Sequence, residues 1–254
     1  MNRIPLSIII AFLFVLQSLT AQEHGNRTDY VEYGPMGKYM AIGGDDLLLL
    51  DRQGNEIRLV NEFAPEARVF SFSADGKLLA AESNNFEIYI YSVDDKKKAP
   101  ISFQGIKKGK YLQSRLIFSP DNTMLATNDH MGIVIYSLTG KRPGRVLLRI
   151  PRLTSNVHVS TAALVATPDW KYFFHSMQLI ELTKDKKGEL GYKHGIALEW
   201  NRMKTTHYAI APDASKVAVS ARGGLDQAVF DLKTGNQILL NSNLATHGLV
   251  ANKD

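Results

Sequence analysis

The chain contains no cysteine. Disulfides, thiolate metal sites, cysteine nucleophiles and a lipid-bearing amino-terminal cysteine are therefore all excluded. Helical periodicity is missing beyond the first twenty or so residues, and no later stretch is apolar enough to cross a bilayer, for which about 20 residues are needed. No serine sits in a Gly-x-Ser-x-Gly setting, and no glycine-rich phosphate loop is present. The seven histidines are His24, His130, His158, His175, His194, His207 and His247. None of them pairs as His-x-His or His-x-x-x-His, the spacings that put two metal ligands on one element. His158, His207 and His247 are placed near the start of an innermost strand. Nothing in this inventory calls for a metal or a cofactor.

What is present begins with a targeting pattern. Arg3 precedes the mostly apolar run Ile4 to Leu16, interrupted by Pro5 and Ser7, and Gln17-Ser-Leu-Thr-Ala21 supplies small and polar residues. This reads as a signal peptide over 1–21, cleaved after Ala21, followed by a linker over 22–29. The expected location is the periplasm or the outside of the cell.

From residue 30 onward a repeat dominates. Val69-Phe-Ser-Phe-Ser-Ala-Asp-Gly-Lys77, Leu116-Ile-Phe-Ser-Pro-Asp-Asn122, Leu164-Val-Ala-Thr-Pro-Asp-Trp-Lys171 and Tyr208-Ala-Ile-Ala-Pro-Asp-Ala-Ser-Lys216 follow one plan. Val31-Glu-Tyr-Gly-Pro-Met-Gly-Lys38 and Gly248-Leu-Val-Ala-Asn-Lys-Asp254 are weaker copies. The markers Met36, Asp75, Asp121, Asp169, Asp213 and Asp254 are spaced 39, 46, 48, 44 and 41 residues apart, which fits four-stranded propeller blades. After each turn comes a strand such as Leu78–Ala81, Met124–Thr127 or Val217–Ser220. A third strand follows with alternating large residues, as in Ile88–Tyr91, Ile133–Tyr136 and Ala228–Phe230. The predicted fold is all-β: a propeller over 30–254 with about five complete blades and the first strand of a sixth. An open propeller exposes unpaired backbone groups, so the expectation is a truncated product of a longer protein.

These segments resemble the WD-repeat and related seven-bladed propeller families. A blade there reads approximately Phe-Ser-Pro-Asp-Gly, a small-residue strand, then a Trp-Asp pair closing the third strand. The turns agree, but Tyr91-Ser92, Tyr136-Ser137, Ile180-Glu181 and Phe230-Asp231 stand where the Trp-Asp pair would be. The resemblance is to a degenerate, WD-like form. It implies a binding or scaffolding role. It also leaves open a propeller enzyme such as a lactonase, or a sensor cut from a larger protein.

Charge is distributed unevenly. Residues 23–93 hold 6 basic against 12 acidic residues, and residues 94–204 hold 19 against 9. The candidate binding residues are the basic clusters Lys96, Lys97 and Lys98; Lys107 and Lys108; Lys141, Arg142 and Arg145; and Lys186 and Lys187. Such a flank attracts an acidic protein or an anionic glycan. Nucleic acid is not expected, since basic residues do not alternate with stacking aromatics. Gly43-Gly-Asp-Asp46 resembles the core of nucleotide-cyclase signatures, but it lies between two strand-like segments and is read as a hairpin turn. Trp170, Trp200, Tyr89, Tyr91, Tyr136, Phe173 and Phe174 are read as packing between blades.

Overall fold

In a computed structural model, residues 28–44, 47–59, 67, 69–83, 85–95, 97–105, 115–129, 131–152, 164–199, 205–221 and 227–241 are described. The segments read as signal peptide and as sixth-blade strand lie outside them. The described strands form five four-stranded antiparallel sheets, each a meander with its strands in sequence order. The first contains β1 (Thr28–Tyr33), β2 (Tyr39–Gly44), β3 (Leu47–Asp51) and β4 (Glu56–Leu59). The second contains β5 (Val69–Phe72), β6 (Leu78–Glu82), β7 (Glu87–Ser92) and β8 (Ile101–Gln104). The third contains β9 (Leu116–Phe118), β10 (Met124–Asp129), β11 (Gly132–Ser137) and β12 (Val146–Pro151). The fourth contains β13 (Leu164–Ala166), β14 (Tyr172–His175), β15 (Gln178–Lys184) and β16 (Leu190–Ala197). The fifth contains β17 (Thr205–Ile210), β18 (Lys216–Ala221), β19 (Gln227–Asp231) and β20 (Gln237–Asn241). The all-β expectation of five complete blades is met. Among the described residues the one helical element is a single 3-10 turn, Pro35–Gly37.

The repeated turn explains why these sequences form sheets. In the second blade the Ser73 hydroxyl donates to Asp75 Oδ1 (2.7 Å) and accepts the Leu78 amide (2.9 Å), while the Lys77 amide donates to the same carboxylate oxygen (3.0 Å). Ser119 with Asp121 and Thr167 with Asp169 repeat this arrangement at 2.6 Å each. Ala211 takes the hydroxyl position in the fifth blade, where Asp213 still accepts the Ser215 amide (2.9 Å). The backbone then enters the left-handed region at Gly76, Asn122, Trp170 and Ala214. Thr167→Val removes the hydroxyl's bonds to Asp169, the Tyr172 carbonyl and the Tyr172 amide and is expected to cost about 1–2 kcal/mol. A urea titration checks this, and an unchanged midpoint would show that the carboxylate holds the turn unaided.

The chain divides into two compact units, Met1–Gly105 and Ile106–Asp254. In the first, Ala41, Leu47 and Leu49 pack against Phe70, Phe72, Leu79, Ala81 and Tyr91 of the next sheet. Glu32 on β1 accepts the Ser71 hydroxyl and the Phe72 amide, both at 3.1 Å. Gly43 is at the end of β2, so the hairpin reading of its motif holds for the two strands, with Gly43 opposite Leu47. A Cβ on Gly43 would lie 2.3 Å from the Phe70 ring. This glycine therefore serves the packing of two sheets; Asp45 and Asp46 lie outside the described residues.

In the second unit the fourth blade is sandwiched. Successive side chains of a strand point to opposite faces, and Phe173 and Phe174 follow that rule. Phe173 joins Ala126, Ile133, Ile135 and Ile150 of the third blade, whereas Phe174 joins Tyr208, Val217, Val219 and Phe230 of the fifth. Tyr91, Tyr136, Ile180 and Phe230, at the degenerate Trp-Asp positions, are all buried. Packing between blades thus accounts for the aromatic residues Tyr91, Trp170, Phe173 and Phe174, as the sequence implied; Tyr136 is buried, and Trp200 lies outside the described residues.

Candidate functional site

In an antiparallel meander, the first-to-second and third-to-fourth connections emerge at the same end of the sheet. In the third blade those are the Ser119–Thr123 turn and the loop between Ser137 and Val146. The loop is pinched at its neck, where the Ser137 amide donates to Arg145 O (2.9 Å) and the Gly144 amide to Ser137 O (2.7 Å). In the fourth blade the Thr167–Lys171 turn and the Asp185–Glu189 turn occupy the corresponding end. Asp185 Oδ1 accepts the amides of Lys187 and Glu189, both at 2.8 Å, which closes a tight turn with Gly188 at φ +79°.

Three of these connections, all but the Thr167–Lys171 turn, border a groove of about 500 Å³ lined by Asp121, Thr123, Ser137, Arg145, Lys187 and Glu189 among others. A second hollow of about 370 Å³ continues it, sharing Asp121, Met124 and Lys184 and adding Pro120, Asp169, Trp170, Lys171 and Leu182. Arg145 and Lys187, predicted from charge, therefore share one site. Lys141, Arg142 and Lys186 are exposed on the same two connections but do not line the groove. Lys97 and Lys98 are exposed on the β7–β8 turn of the other unit, where Asp95 accepts the Lys97 amide at 3.1 Å. Lys96, Lys107 and Lys108 lie outside the described residues.

Sequence reasoning missed the acidic half of the site. The turn aspartates, read only as structural, line the groove. Asp121 is held below the ordinary carboxylate range by the Ser119 hydroxyl and then by the Thr123 amide and hydroxyl. Asp169 is lowered by the Thr167 hydroxyl and the Lys171 amide. Both are ionised at neutral pH, and in each the turn bonds go to Oδ1, which leaves Oδ2 as an acceptor with no hydrogen-bond partner among the described residues. The signal was in the sequence: both aspartates belong to first-to-second turns, which topology puts at the same end as the basic loops.

Trp170 lines the second hollow and is 5 % exposed, with its ring edge-to-face on Phe173 at 5.2 Å. Its backbone has φ +61°, a conformation that is an outlier for a bulky residue and that glycine holds in the second blade. Its indole N–H is buried without a hydrogen-bond partner among the described residues.

A different polar cluster surrounds the β14–β15 hairpin. His175 is 2 % exposed, and its Nε2 has no hydrogen-bond partner. Burial, helped by the Arg152 charge, holds it down to about 3, so it is neutral. Burial pushes the Tyr208 hydroxyl well up, against the smaller pull of the Met177 amide and Arg152; that amide falls short of hydrogen-bond geometry. Of the histidines placed near innermost strands, His207 is exposed on β17 and is lowered by partial burial and Arg115. His158 and His247 lie outside the described residues. Among the described residues no three His, Asp or Glu side chains come together, and no helix is long and apolar enough to span a membrane.

No family model matches the chain, and no curated protein matches it. Among solved structures it is similar to the β-propeller domain of Cps50 (Swd1) from Myceliophteria thermophila, with a TM-score of 0.55 and 13 % identity. The likeness covers 80 % of this chain and 64 % of that one, so the chain spans under two thirds of the length of the structure it matches. It shows the WD40-like β-propeller fold. Matches extend to 1465 chains, a breadth that identifies an architecture and no single activity.

Proposed function

We propose that this chain is an exported, non-catalytic propeller of the degenerate WD-like type, a scaffold that binds an anionic partner, an acidic protein or an anionic glycan, in the periplasm or outside the cell. Arg3, the apolar run to Leu16 and the small residues before Gln22 support export with cleavage after Ala21. One observation carries the binding reading. Arg145 comes from the third blade and Lys184 and Lys187 from the fourth, yet all three line one groove. Arg145 and Lys187 sit on connections fixed by hydrogen bonds to the backbone, so they stay close at less ordering cost than flexible loops would impose.

Polyglutamate and a uronic-acid polysaccharide are suitable probes, titrated against the mature chain at low and high salt. Arg145→Glu with Lys187→Glu is expected to weaken binding by at least about 10-fold at low salt. Raising salt from about 50 mM to about 500 mM is expected to shrink the wild-type advantage, because the Debye length falls severalfold. Affinity that is the same for wild type and double variant, or indifferent to salt, overturns the reading.

A further inference from the structure

Resting on that reading, we infer that the groove is a glycan site, in which the hollow around Trp170 holds a sugar ring and the Arg145–Lys187 end holds an acidic group of the same chain. The two parts of the groove differ in chemistry. At the larger end Arg145, Lys184 and Lys187 face Asp121 and Glu189, an excess of positive charge. In the hollow the charges balance: Lys171 and Lys184 against Asp121 and Asp169.

An acidic peptide lying along the whole groove would meet the two turn carboxylates, which repel it. A sugar would not. Its hydroxyls donate to Asp121 Oδ2 and Asp169 Oδ2, and its oxygens accept from the two ammonium groups. Its C–H face fits the apolar strip of Pro120, Met124, Leu182 and Trp170. Trp170 gives the hollow a built-in reporter. A bulky residue is kept buried in a left-handed turn at its wall; its N–H is itself shielded from solvent, so a sugar in the hollow meets other atoms of Trp170 and changes the surroundings of the indole.

The chain has two tryptophans, so Trp200→Phe leaves Trp170 as the sole indole reporter. That variant is titrated with a uronic-acid oligosaccharide, a neutral hexose oligosaccharide of equal length and polyglutamate, following indole emission. The uronate oligomer is expected to change the Trp170 emission saturably and to bind at least about 10-fold more tightly than the neutral one. Asp121→Asn with Asp169→Asn keeps an Oδ1 acceptor for each turn but replaces each Oδ2 by a donor. It is expected to weaken uronate binding about 10-fold and to leave polyglutamate binding unchanged or tighter, with the urea midpoint reporting that the turns survive. Polyglutamate binding without uronate binding overturns the glycan inference and leaves the anionic-partner reading standing. Uronate binding that neither alters Trp170 emission nor responds to the asparagine pair reduces the interaction to bare charge and also overturns it. Failure of both anions to bind overturns the underlying reading itself.

Discussion

On acidification from about pH 7 to about pH 4.5, the wild-type chain is expected to lose about 2–3 kcal/mol more stability than a His175→Phe variant. His175 is lowered from 6.5 to about 3 by burial and by the Arg152 charge. In the unfolded chain the imidazole takes up a proton as pH falls through 6.5, whereas in the folded chain it stays neutral until about pH 3. Between those values the unfolded state binds more protons, so stability is complete above the unfolded value and drains away as pH falls. The turn aspartates act in a lower window. Asp121, Asp169 and Asp213 are lowered from 3.8, so their contribution is present above that value and is lost only below it. A comparison stopping near pH 4.5 therefore isolates the histidine. At neutral pH the phenylalanine variant is expected to be as stable as wild type or slightly more so, because the Nε2 it removes has no hydrogen-bond partner. Urea titrations across this range decide it; parallel pH profiles for the two proteins would mean that His175 reaches solvent in the native state.

Gly132→Ala is expected to destabilise the second unit by on the order of 3 kcal/mol or more. Gly132 begins β11 at φ +146°, and an added Cβ would lie 2.0 Å from the Ile150 carbonyl oxygen of the neighbouring β12. That oxygen belongs to backbone held in the β11–β12 ladder, where Ile133 pairs with Ile150, so the clash is relieved only by moving a strand. Gly140 is the matched control. It also has positive φ, at +84°, but nothing lies within 4 Å of its Cβ. Gly140→Ala is expected to cost about 1 kcal/mol from backbone conformation alone. Equal losses at the two positions would show that the β12 backbone yields readily.

The contrast between these glycines marks the limit of what a sequence discloses. Both are isolated glycines in strand-and-turn surroundings, and only the position of Ile150 separates them. His175 is similar: it reads as an ordinary strand histidine, and its neutrality comes from burial, helped by the charge of Arg152, which follows the last strand of the preceding blade. Lys184 and Lys187 belong to a basic run no more distinctive in sequence than Lys96–Lys98, yet they are brought to a groove with Arg145. Trp170 was legible as a packing residue, and it does pack on Phe173. Its place at the groove was not, because its neighbours Pro120 and Asp121 are supplied by the preceding blade.

By itself the sequence determined the strands, their order within each blade and the turn that repeats from blade to blade. These rest on interactions spanning a few residues, such as Ser119 with Asp121 and Met124, and on the alternation of side chains along a strand. The tertiary structure alone decided which charges meet, which glycines are irreplaceable and which polar groups lose water. Those properties depend on the faces and ends of two sheets coming together, and side chains separated by a whole blade in the chain carry no local sign that they will become neighbours.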